Sequence, residues 1–66
     1  MRMTMDKEAD ALYIRFDEAE IVESEEVSDG VILDFDANGR VVALELLYVR
    51  ARFPDADLSR VEVQTA

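Results

Sequence analysis

Val31-Ile32-Leu33-Asp34-Phe35-Asp36-Ala37-Asn38-Gly39-Arg40-Val41-Val42-Ala43-Leu44-Glu45-Leu46-Leu47 is the stretch that decides the fold. Val31, Leu33 and Phe35 alternate with Ile32, Asp34 and Asp36, the period of two that a half-buried strand requires. Asn38-Gly39 follows, and Asn-Gly between two β-rich runs is the strongest short-range hairpin signal. Asn38 tolerates a left-handed backbone and Gly39 takes a positive φ without steric cost. Beyond the turn, Val42, Leu44 and Leu46 share one face, while Val41, Ala43 and Leu47 share the other. A strand apolar at both parities is one buried on both faces. One face then meets the core, and the other meets a helix or a second copy of the chain.

Outward to the N-terminus, Met1, Met3 and Met5 alternate with Arg2 and Thr4, and Leu12, Ile14 and Phe16 alternate with Tyr13 and Arg15. The polar run Asp6–Asp10 has the length of a hairpin connection, so residues 1–16 predict a β-hairpin. A competing reading makes Asp6 the N-cap of a helix over Lys7, Glu8 and Ala9, which is too short to stand alone. Six of the ten residues 17–26 are acidic and show no clean period. Helix, loop and edge strand all remain open there, the last because charged edges resist pairing with other sheets. Ser28-Asp29-Gly30 is a turn signal.

Toward the C-terminus, Tyr48–Phe53 reads as a helical turn ending before Pro54, which disfavours helix in the residue ahead of it. Leu58, Val61 and Val63 suggest a short final helix or strand. The fold expected is one α+β domain over residues 1–66, with an antiparallel sheet of four to five strands and one short helix near residues 46–53.

Composition narrows the function classes. Sixteen acidic residues against seven basic ones give a net charge of −9. Nucleic-acid binders need a basic patch on phosphate, and an anionic membrane repels such a chain, so neither partner is expected. No apolar stretch approaches the length of a membrane span, and the N-terminus lacks a signal-peptide core, so the cytoplasm is the expected compartment. With no cysteine and no histidine, there is no disulfide, no thiolate ligand and no ordinary general base near neutral pH. Ser24, Ser28, Ser59 and Lys7 therefore have no activating partner, and no enzymatic role and no cofactor are expected.

One motif invites a metal. Asp34, Asp36, Asn38 and Gly39, followed by Glu45, match the spacing of an EF-hand calcium loop. That loop needs a helix leading in, and Ser28-Asp29-Gly30-Val31-Ile32 opposes one. Asp34, Asp36, Asn38 and Glu45 are the candidate calcium or other divalent-metal ligands, and a hairpin accounts for the same residues without an ion.

Asp6-Lys7-Glu8-Ala9-Asp10-Ala11-Leu12-Tyr13-Ile14 resembles the opening signature of a family of small bacterial proteins called domain of unknown function 2283. Val27–Asp36, continuing into Gly39–Leu47, is similar to its second signature, so the likeness covers about residues 5–47. The resemblance implies a compact fold of antiparallel strands with a short helix. It implies no activity and no catalytic residues. Residues 48–53 are less polar than the helical turn the resemblance leads one to expect.

Charge and the two-faced strand together lead to a functional expectation. The chain is a non-catalytic interaction module that homodimerises and presents an acidic surface to a basic protein, an antitoxin-like role being one concrete form. The alternative is divalent-metal binding at the Asp34–Glu45 hairpin.

Overall fold

The alternating runs fold as strands in a computed structural model that describes residues 1–66. They are β1 (Arg2–Asp6), β2 (Ala11–Arg15), β3 (Glu23–Ser28), β4 (Val31–Phe35) and β5 (Val41–Leu46), followed by α1 (Val49–Arg52). All pairings are antiparallel, in the order β1-β2-β5-β4-β3. The two-faced strand β5 is the central one; Val42 and Ala43 are buried, while Val41 is exposed and Leu44–Leu46 stay part-exposed. With five strands and a helix of only four residues, the fold is mostly β, which corrects the α+β expectation.

The register fixes which side chains share a face, because directly opposed residues lie on the same side of the pleat. Met5, Leu12, Leu46 and Val31 form one row across the sheet, and Met3, Ile14, Leu44 and Leu33 form a second. Alternation adds Val42 and Phe35, giving one apolar face. Rows on the other side run Thr4, Tyr13, Glu45, Ile32, Glu26 and Arg2, Arg15, Ala43, Asp34, Ser24. That face is polar.

Local chemistry explains the turns. Between β1 and β2, the Ala9 amide donates to Asp6 Oδ1 at 3.0 Å. The bond resembles an N-cap, but the segment stays a turn. Between β4 and β5, the Asp36 amide donates to the Arg40 carbonyl and the Gly39 amide to the Asp36 carbonyl. Only Gly39 has a positive φ, at 78°. The loop is therefore a three-residue turn with a left-handed glycine, not a two-residue Asn-Gly turn.

Residues 17–22, without regular structure, carry the chain from β2 to β3 at the acidic edge. Arg15 holds this crossover, donating from Nε to the Asp17 carbonyl and from Nη2 to the Ala19 carbonyl. At the opposite end of the sheet, α1 docks by its first amides: Val49 N donates to the Asp10 carbonyl and Arg50 N to Asp10 Oδ1. The helix caps the end and does not lie across a face. Leu58, Val61 and Val63 form no helix or strand. Residues 54–66 make only turns, and all hydrogen bonds of that segment stay within residues 53–64. The three apolar residues are too few, and too interrupted by Ser59, Arg60 and Glu62, to secure a further element.

Only seven residues are buried, among them Val42 (1% exposed) and Ala43 (0%) on the central strand and Val49 at the capped end. The radius of gyration is 12.8 Å, against about 11 Å for a compact chain of this length. No helix is long and apolar enough to cross a membrane.

Candidate functional site

The four candidate ligands do not converge. Asp34 sits on the polar face, buried, and accepts the Ser24 hydroxyl at 2.5 Å on Oδ1. Glu45 shares that face but lies opposite Ile32 and Tyr13, one diagonal step from Asp34. Asp36 and Asn38 belong to the turn at the sheet's end.

Asp36 is already engaged on both oxygens. Oδ1 accepts the Asn38 and Arg40 amides at 2.9 Å each, and Oδ2 accepts Arg40 Nε at 2.9 Å. The Arg40 amide above all, then the Arg40 guanidinium and the Asn38 amide, hold its carboxyl below the usual aspartate value, against the opposing effect of burial. The EF-hand spacing therefore serves a turn, in which aspartate mimics a backbone acceptor. No group of three acidic side chains comes close enough to hold a metal ion.

One hollow of about 190 Å³ opens beside this turn, lined by Ala19, Glu20, Val22, Asp36, Ala37, Asn38 and Arg40. Small-molecule sites usually exceed roughly 300 Å³. Arg40 also reaches Asp17 at 3.5 Å, tying the turn to the crossover.

The more distinctive surface is the division of charge. Arg2 pairs with Glu18, Arg15 with Glu18, Arg40 with Asp36 and Asp17, Arg50 with Asp10, and Arg60 with Glu62. Arg52 is committed to the carbonyls of Leu47 and Asp29. Almost every cation is thus used inside the chain. Glu23, Glu25 and Glu26 on β3 take part in no ion pair and lie exposed along an edge whose outer backbone groups pair with nothing. These glutamates are three neighbouring members of a larger set of acidic side chains that have no ion pair.

Two residues missed by sequence reasoning organise the opposite end. Asp10, at φ 54°, binds the start of α1 and accepts Arg50 Nε at 2.9 Å. Forty residues separate this pair, so no local pattern announces it. Gly30 was legible only as a turn residue. It is buried with φ 72°, and a Cβ there would stand 2.6 Å from Arg52 Nη2 and 3.0 Å from the Tyr48 ring. The left-handed backbone favours glycine, and a Cβ would also press on the Arg52 tip and the Tyr48 ring.

A turn-anchoring aspartate, a helix-docking aspartate and a closely covered glycine all fall inside one unit of hairpin, crossover and meander. The family model described as protein of unknown function, DUF2283, matches residues 2–50. The chain belongs to this family. The match takes in all five strands and ends within α1, leaving the hydrogen-bond-isolated segment 54–66 outside it. No curated protein and no solved structure matches the chain.

Proposed function

We propose that this DUF2283 protein is a non-catalytic interaction module that pairs with itself and presents an acidic surface to a basic protein. The observation that supports pairing is the apolar face, which encloses Val42 but leaves Met3 exposed and the leucines of its central rows part-exposed. A sheet normally buries one face against another layer, and here no second sheet exists and the only helix sits at the end. The acidic half of the reading rests on β3, whose three glutamates lack intramolecular cations, and on the net charge of −9. Charge complementarity of this kind accelerates encounter and selects partners.

The immobilised chain is expected to retain basic proteins from native lysate at low salt and release them as salt rises. Failure to retain any at low salt, where attraction is strongest, would remove the acidic-surface half. The alternative, a divalent cation at Asp34, Asp36, Asn38 and Glu45, is the weaker reading because Asp36 already has three donors. It is tested by melting the protein with millimolar calcium, since an ion bound only by the folded state must raise Tm. We expect no rise.

A further inference from the structure

We infer that a second copy of the chain covers the apolar face, sheet against sheet, with the two-fold axis running along β5. This geometry rests on the pairing proposed above and specifies its surface and orientation.

The first argument is area. The folded chain exposes 5062 Å². A monomeric protein of its 7.5 kDa mass is expected to expose roughly 4,250 Å². The excess, about 800 Å², equals one partner's share of a standard protein interface, about 800 Å². Residues 54–66, all exposed but Leu58, contribute to it, but so do the part-exposed leucines of the central rows.

The second argument is composition. On β1, β2, β4 and β5 the paired rows of this face contain no charged residue. An interface core is depleted of charge in this way, and the cost of bringing two acidic chains together is least there. Pairing edge to edge through β3 would instead set Glu23, Glu25 and Glu26 of two copies side by side, which charged edge strands oppose.

The third argument sets the axis. β3 places Glu25 opposite Leu33 and Glu23 opposite Phe35, so two carboxylates stand at one margin of the apolar face. A two-fold axis across the strands would lay β3 on β3 and bring these carboxylates together. An axis along β5, the middle of five strands, lays β3 on the partner's β1, whose inward residues are Met3 and Met5. Leu44 then meets its own counterpart across the axis, with the sheets about 10 Å apart.

The test is nuclear Overhauser spectroscopy on a mixture of labelled and unlabelled full-length chains, which reads only contacts between copies. Leu44 methyls are expected to contact Leu44 methyls of the other copy, and Met3 methyls to contact protons of Glu25. Met3 is 45% exposed in the single chain, so Met3→Glu should leave the far-UV spectrum intact while weakening dimerisation at least tenfold. If Met3→Glu unfolds, the wild-type melting midpoint decides, and it should rise with protein concentration. A dimer whose intermolecular contacts lie along the β1 or β3 edge overturns the stacked geometry but leaves pairing intact. Absence of a dimer removes both.

Discussion

The two faces of one sheet behave differently because different things cover them. On the polar face, Arg15, Asp34 and Ser24 flank Ala43, the crossover is held down by Arg15, and Ala43 is fully enclosed. On the apolar face, Leu44, one residue along the same strand, remains part-exposed. Hydrogen bonds and ion pairs finish the first face within the chain. On the second face the chain encloses Val42 but leaves the rows of Leu44 and Leu46 part-exposed. The contrast shows that burial along a central strand does not require a core on both sides.

Placing a charge on each side of β5 should separate the two faces most sharply. Leu44→Lys is expected to abolish dimerisation and destabilise the fold by about 3 kcal/mol or more, because an unpaired charge would enter an apolar layer. Sedimentation and urea melts check it. A near-normal Leu44→Lys dimer would mean that nothing covers this face.

Val42→Ala probes the part of the apolar face that the chain already encloses. Loss of about two methyl groups and the space they leave should cost about 2 kcal/mol, read as a lower urea midpoint at unchanged m-value.

Asp36 tests the anchored turn. Its folded-state pKa lies below the ordinary 3.8, so its contribution is complete above about pH 4 and is lost as pH falls through the depressed folded value. Asp36→Asn should lower Tm by several degrees at pH 7, and the gap from wild type should close on acidification. A gap that widens in acid would reverse the assigned sign.

The smallest effect belongs to Glu45→Lys, beside Leu44 but on the polar face. Stability should change by less than about 0.5 kcal/mol, as for most surface substitutions, with the dimer intact.

Much of this asymmetry was legible in the sequence. Periods of two located β1, β2 and β4, and the apolar parity of residues 41–47 marked β5 as a strand with two apolar faces. β3 stayed open among helix, loop and edge strand because its glutamates show no clean period. Strand order was not legible, because residues 17–22 carry no periodic signal and their path depends on Arg15 reaching backbone carbonyls. The short helix was placed by Pro54, but its docking depends on Asp10, far away in sequence. Asp34, Asp36, Asn38 and Glu45 were legible as ligand-type residues. Their separation was not, since spacing along a chain does not reveal which oxygens the backbone has already taken.

The central claim is that the apolar face is a surface shared between copies. Sedimentation equilibrium of the wild-type full chain across the micromolar range tests it most directly. The account predicts a mass of twice 7.5 kDa, held more firmly as salt screens the like charges of the two copies. A mass of 7.5 kDa at every concentration and salt would contradict it.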